Sequence, residues 1–203
     1  ATGPSNHRTW SPDQAVLPHA EFQGDEVLVH NVRYCKYRKA DDYDVEHYDK
    51  TYDLNKLDSV YSIVVPFDNM PSLAHTMLSF GFADRDYVAV SVETRREVGE
   101  TYDPVLALSH GYELIYVVGD ERDLIKLRTN HRHEDLYMYR VRCSPQQARQ
   151  LFTSIMHRVN KLKDEPEYYD LLTNNCTTNI AQHINELAPG KVPMQDLRTL
   201  LPG

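Results

Sequence analysis

Cys176 stands behind two asparagines and ahead of two threonines in YYDLLTNNCTTNIAQHINEL, residues 168–187, where a polar loop gives way to helical periodicity. Ile180, Ile184 and Leu187 follow at the spacing of one helix face. Asn174, Asn175, Thr177 and Thr178 are all helix-capping types. A thiol in the first turn of a helix meets unpaired backbone N–H groups and the positive end of the helix dipole, and both favour thiolate over thiol. The matching chemistry is nucleophilic attack on a carbonyl to give a thioester. Asn174 or Asn175 would then help backbone N–H groups to hold the oxyanion, or would cap the helix and position its loop.

A thiol nucleophile needs a base, and the base needs an orienting partner. Of the ten histidines, His75 is the one set inside an otherwise apolar strand, SLAHTML. The next strand, YVAVSVET, follows a tight connection and should pair antiparallel with it. Its alternation puts Val88, Val90 and Val92 on one face and Ala89, Ser91 and Glu93 on the other. Glu93 on the face of His75 would fix the imidazole tautomer and complete a Cys176–His75–Glu93 set. The plainer readings stay open beside it: His75 as a satisfied sheet residue, Glu93 as a polar strand end beside Arg95 and Arg96. The catalytic reading expects the Cys176 sulfur within about 4 Å of a His75 ring nitrogen, with a lowered thiol pKa.

Rival chemistries are poorly supported. His131, His133 and Glu134 lack zinc-ligand spacing and an HExxH pattern, so no metal is expected. GxSxG, GxGxxG and Walker patterns are missing, so neither a serine elbow nor a nucleotide cofactor is expected. A net charge of −8 argues against nucleic acid as a partner. Cys35, Cys143 and Cys176 have no CxxC spacing; a Cys35–Cys143 disulfide and two buried free thiols are both open.

The elements that must position these residues belong to one domain. At 203 residues, 41% of them hydrophobic, the chain has enough apolar material for one core. No apolar run approaches the roughly 18 residues that span a bilayer. Residues 1–24 read as an N-terminal arm and 25–203 as the domain. DEVLVHNVRY alternates as a half-exposed strand, and RKADDYDVEHYDKTYDLNKLDSV, rich in Asp and Tyr, reads as loop. From residue 60 the runs VYSIVVPF, SLAHTMLSFGF, YVAVSVET, YELIYVVGD and EDLYMYRVRC, with short connections, predict a mainly antiparallel sheet. SPQQARQLFTSIMHRVNKLKDE predicts a helix capped by Ser144, with Pro145 at its first position and an apolar stripe from Ala148 to Val159. The Cys176 helix should end at Pro189-Gly190. The fold class is α+β.

HNVRYCKYRKADDYDVEHYDKTYDL, LAHTMLSFGF, VAVSVETRREVGE, YELIYVVGDERDLIKLRTNHR and YYDLLTNNCTTNI together resemble the periplasmic-domain family of bacterial lyso-form lipoprotein N-acyltransferases. The likeness covers roughly residues 25–188, with the motifs in family order. More distantly the chain is similar to circularly permuted papain-like enzymes of the NlpC/P60 and lecithin:retinol acyltransferase type, where the histidine strand also precedes the cysteine helix. The resemblance implies a periplasmic thiol acyltransferase or hydrolase without a cofactor: Cys176 nucleophile, His75 base, Glu93 orienting acid. Its partners would be a lipid or lipoprotein acyl donor and an amine or water acceptor at a membrane surface. A cysteine amidase or peptidase acting on peptidoglycan, or a non-catalytic binding module, would keep the same fold. The lipoprotein-modifying members carry transmembrane helices after this domain, whereas this chain stops at LRTLLPG. Membrane anchoring of the full-length protein and a stand-alone relative with another substrate are both compatible with that.

Overall fold

Alternation and capping account for most of the elements. The computed structural model describes residues 3–67 and 70–187. Its strands are β1 (His19–Gln23), β2 (Glu26–Arg33), β3 (Lys36–Lys39), β4 (Asp42–Asp44), β5 (His47–Asp53), β6 (Leu57–Phe67), β7 (Met70–Phe82), β8 (Asp86–Arg95), β9 (Glu113–Gly119) and β10 (Tyr137–Arg140). The helices are α1 (Pro104–Leu108), α2 (Glu121–Lys126), α3 (Pro145–Asp164) and α4 (Cys176–Leu187). The main sheet runs β1-β2-β9-β8-β7-β6-β10, with β5 also paired to β2, and β3 and β4 form a separate hairpin. The α+β class holds, with one correction. The sheet is mixed, because β2 meets β9 in parallel through Arg33 and Gly119.

The capping box at the start of α3 is fully formed. Ser144 Oγ accepts from Gln147 N while the Gln147 side chain accepts from Ser144 N, and Pro145 opens the helix. Its stripe, from Ala148 through Leu162, is buried. Phe152 sets its edge against Phe80 and Phe82 at 5.2 and 5.6 Å between ring centroids.

Two faces of the sheet receive different layers. Leu78, Phe80 and Phe82 of β7 and Val88, Val90 and Val92 of β8 share one core with α3 and with Cys176 and Ile180 of α4. On the other face Met77, Ala89, Ile63, Val65, Ile115 and Val117 pack on Leu124 of α2. The parity of each strand decides which residues go where.

Two expectations need revision. Part of the expected arm is sheet: β1 pairs antiparallel with β2, His19 facing His30. Ahead of it Trp10 is buried against the Arg95 guanidinium, 4.2 Å from the ring centroid. The expected Asp/Tyr-rich loop, residues 38–60, contains the end of β3, all of β4 and β5 and the start of β6. Tyr52 of β5 anchors its strand by packing its tilted ring on Phe82, 5.0 Å between centroids, while Lys50 pairs with Asp86 on the outside. One buried ring per strand is too sparse a pattern for alternation to reveal. Pro189 and Gly190 lie outside the described residues.

Candidate functional site

Cys176 is the first residue of α4, and the loop before it is tied down by its own amides. Asn175 N donates to Thr178 Oγ1 at 2.8 Å and Asn175 Oδ1 accepts from Thr178 N at 3.0 Å, a reciprocal cap. Asn175 Nδ2 donates to Leu171 O at 2.7 Å. Asn174 Nδ2 donates to Tyr168 O at 2.8 Å, and Asn174 Oδ1 accepts from Asn179 Nδ2 at 2.8 Å. Both asparagines are thus engaged in shaping the loop and the helix start.

Cys176 is 8% exposed, in the core that also holds Val92, Tyr112, Tyr169 and Ile180. Backbone hydrogen bonding from Thr76 in β7, Thr177 and Cys176 favours its thiolate, and Thr177 Oγ1 lies 3.9 Å from the sulfur. Burial nevertheless pushes the thiol above its ordinary pKa, because desolvating a thiolate costs more than these donors return. This corrects the expected low pKa. Cys35 and Cys143 are free as well; burial raises both, Cys35 to about 12.

His75 and Glu93 meet on the other face. Val65 pairs with His75 across β6 and belongs to the α2-side core, so the imidazole emerges on that side. His75 Nε2 lies 2.8 Å from Ser91 Oγ, and Ser91 Oγ donates to Glu93 Oε1 at 2.8 Å. A carboxylate only accepts, so the single Ser91 proton goes to Glu93 and the Ser91 oxygen accepts from His75 Nε2–H. The lone pair of the neutral ring is therefore on Nδ1. Gln14 Nε2 adds a second donor to Glu93, at 3.3 Å from Oε2.

Charge surrounds this relay. Burial, then the Arg128 and Arg132 guanidinium groups, drive His75 down to about 3, with Glu93 opposing. Burial alone would raise Glu93, but Arg33, His75, Arg128 and the Ser91 hydroxyl together bring it to about 2. Arg33 is itself gripped by Asp123 of α2, with Nε and Nη2 at 2.8 and 3.0 Å from its two oxygens. The site therefore carries an ionised carboxylate and a neutral imidazole at neutral pH.

The expected Cys176–His75 contact is not formed. The two side chains leave opposite faces of the sheet, and the Cys176 sulfur meets instead the backbone of Thr76, the residue beside His75. His183, two turns along α4, faces Tyr116 Oη at 3.0 Å and Ser154 Oγ at 2.7 Å. It borders a groove of about 1140 Å³ between the polar sides of α3 and α4, which reaches Asn174 but not Cys176. The bridging role of Ser91 and the Arg33–Asp123 pair escaped the sequence reading. Alternation placed Ser91 on the correct face, but nothing in a sequence links residues 90 positions apart.

A family model described as the Lnb N-terminal periplasmic domain matches residues 44–203. No curated protein and no solved structure matches the chain. No helix among the described residues is long and apolar enough to cross a membrane. With most of its length matched, the chain belongs to the Lnb N-terminal periplasmic domain family and is a periplasmic domain.

Proposed function

We propose that this periplasmic domain of a lipoprotein-processing protein performs thiol acyl transfer, moving an acyl group from a lipid or lipoprotein through a thioester on Cys176. One observation carries the reading: Cys176 opens α4, in the apolar core, with Thr177 Oγ1 3.9 Å from its sulfur and backbone hydrogen bonding from Thr76, Thr177 and Cys176 favouring its thiolate. In the first step the sulfur attacks an ester carbonyl and its proton passes to a base. The oxyanion takes the backbone N–H groups of Cys176 and Thr177 at the start of α4. Collapse breaks the ester C–O bond, the base returns the proton to the departing alcohol, and the thioester remains. An amine, or water in the hydrolase variant, then attacks the thioester, loses a proton to the base and regenerates the thiol.

His75 is our candidate for the base and Glu93 for its orienting acid, acting through Ser91. The relay leaves Nδ1 to accept a proton; burial and the Arg128 and Arg132 guanidinium groups hold the ring at about 3 where it rests, so it becomes an effective base only on leaving that layer. The ring now stands on the far side of the β7 backbone. Base action requires residues 74–76 to turn over, carrying Nδ1 to the Cys176 side. That stretch pairs with β6 but lies beyond the last β7–β8 pair, Met77 with Ser91. The histidine-strand and cysteine-helix order of circularly permuted papain-like enzymes fits such an arrangement.

The orientation of His75 also favours a second reading, a binding module that keeps the fold without turnover. Intact mass spectrometry separates the two after incubation with phospholipid and lipopeptide. Acyl transfer expects a hydroxylamine-labile adduct on Cys176 that is lost in Cys176→Ala. A folded protein that never acquires the adduct would leave the binding module.

A further inference from the structure

Six of the large apolar side chains exposed on the described surface, Val98, Tyr102, Val105, Leu106, Leu108 and Leu172, come from two short segments beside Cys176. Five of them lie on two segments that a backbone hydrogen bond joins. Leu171 N donates to Ala107 O at 3.0 Å, which ties the turn carrying Leu172 to α1. Tyr102 stacks on buried Tyr112, 6.3 Å between ring centroids, and Tyr112 belongs to the core that holds Cys176. Leu172 stands four residues before Cys176, in the turn pinned by Asn175 Nδ2 on Leu171 O.

We infer that this rim, Tyr102, Val105, Leu106, Leu108 and Leu172, seats the domain on a lipid bilayer, its side chains entering the boundary between headgroups and acyl chains. Charge supports the choice of occupant. The chain is 26% charged overall, yet residues 101–110 and 171–178 contain no Lys or Arg and one carboxylate, Asp103. That carboxylate is spent on capping α1, accepting from Val105 N at 2.8 Å. At the edge of the rim His110 faces Asp170, 3.3 Å away. A rim so poor in charge suits zwitterionic headgroups and hydrocarbon rather than an acidic or basic macromolecule.

Shape points the same way. Val105 and Leu172 are 70% and 71% exposed, so they project from a one-turn helix and a tight turn rather than lining a flat or concave face. A deformable lipid layer accepts such projections where a rigid protein partner would need matching pockets. Seated this way, the domain brings ester carbonyls near the bilayer surface to the side of the domain on which Leu172 and Cys176 lie. The proposed purpose rests on the reading of Cys176 as acyl acceptor; the seating itself does not.

The test is co-flotation of the 203-residue chain with phospholipid vesicles, zwitterionic alone or mixed with an anionic lipid, for the parent, Val105→Ser/Leu172→Ser and Cys176→Ala. Both rim residues already face water, so the double variant should melt with the parent. We expect the parent to float with both vesicle types, the double variant to lose at least tenfold of its bound fraction, and Cys176→Ala to bind as the parent does. A Val105→Trp probe should shift to the blue and be quenched by brominated acyl chains, against Trp10, which is buried. A parent that does not float, or a double variant that floats equally well, overturns the proposal. So does a parent dimer that the double variant disperses while vesicles leave it intact, since the occupant would then be a second copy. Failure to find a thioester while flotation still depends on the rim would remove the acyl-transfer reading and leave the seating.

Discussion

Two neighbours on β7 live in opposite environments. The backbone of Thr76 faces a pocket of aliphatic and tyrosine side chains in which Cys176 lies. His75, one residue earlier, enters a layer holding Glu93, Arg33, Arg128 and Asp123. On the apolar side burial decides the charge state, and it keeps the thiol protonated in spite of the backbone hydrogen bonding that favours the thiolate. On the polar side full charges and directed hydrogen bonds decide it, so the carboxyl stays ionised though buried. The same helix terminus or hydrogen bond therefore has different consequences according to what else desolvates the group. Activation of Cys176 has to come from a group brought to it, because its resting surroundings do not supply a thiolate.

The largest effects come from asking whether the two environments act as one unit. Cys176→Ala should abolish acyl transfer, since alanine offers no atom to acylate. His75→Ala should cost orders of magnitude, and the double variant should be no worse than Cys176→Ala. Single-turnover rates for the three proteins, with melting curves alongside, measure this. A His75→Ala protein with parental rates would leave the faces independent and remove His75 from the mechanism. Ser91→Ala comes next. It strands His75 Nε2–H and a buried Glu93 oxygen, which should destabilise by about 1–3 kcal/mol and free the tautomer. Nitrogen NMR of His75 should show Nε2–H in the parent and a mixture in the variant. An unchanged tautomer would mean that Ser91 does not set it.

Acid sharpens the contrast through stability. Both relay groups have folded pKa values below their ordinary ones, so the native state binds fewer protons than the unfolded chain and acid favours unfolding. Stability from His75 is complete above about 6.5 and drains as pH falls toward about 3. The Glu93 contribution is complete above about 4.5 and drains toward about 2. Together they should amount to a few kcal/mol, order of magnitude. His183, lowered to about 4 by burial, adds to the same decline. The difference in melting temperature between the parent and His75→Gln should therefore change between pH 6.5 and 3 and be flat above. A flat difference throughout would contradict the neutral buried imidazole. The apolar side predicts the converse for thiol labelling. Half-buried Cys143 should react first with iodoacetamide, and Cys176 should stay slow at neutral pH until substrate or denaturant opens its pocket.

Much of this was readable beforehand, and the unread part has physical causes. The α3 cap, its stripe, the five strands from residue 60 and the Ser91–Glu93 face all follow from local periods. β1 and β5 did not, because their pairing partners lie elsewhere in the chain and supply the burial that their composition lacks. The mutual placement of His75 and Cys176 was a matter of parity. The alternation that set Glu93 beside His75 also set both opposite the valine face of β8. Two amphipathic helices bury where the apolar area is greatest, so the Cys176 helix belonged on that valine face, away from His75. A papain-like triad was the chemically attractive reading, and the register of two strands was the stronger constraint on the resting structure.

The smallest effect separates the two roles that an asparagine beside a nucleophile can have. Asn175 Oδ1 caps Thr178 N, while its Nδ2 donates to Leu171 O. Asn175→Ala removes both and should cost about 1 kcal/mol, the usual worth of a cap. That variant alone cannot tell positioning from oxyanion donation, because a loosened helix start would slow either. Asn175→Asp can. The carboxylate keeps the acceptor for Thr178 N and adds favourable charge at the helix start, which offsets the loss of the donor to Leu171 O, so stability should stay within about 1 kcal/mol of the parent. It has no N–H, so an oxyanion donor would be lost and the rate should drop by about 10²–10³. If Asn175 only positions the loop, the Asp variant loses the tie to Leu171 and moves the rate by a few-fold at most. The hydrogen bonds favour that outcome, since the amide turns toward the loop carbonyl. A stable Asn175→Asp with a hundredfold slower acylation would instead show that the amide leaves Leu171 when substrate arrives. Both sides of Cys176, the loop as well as β7, would then have to rearrange for catalysis.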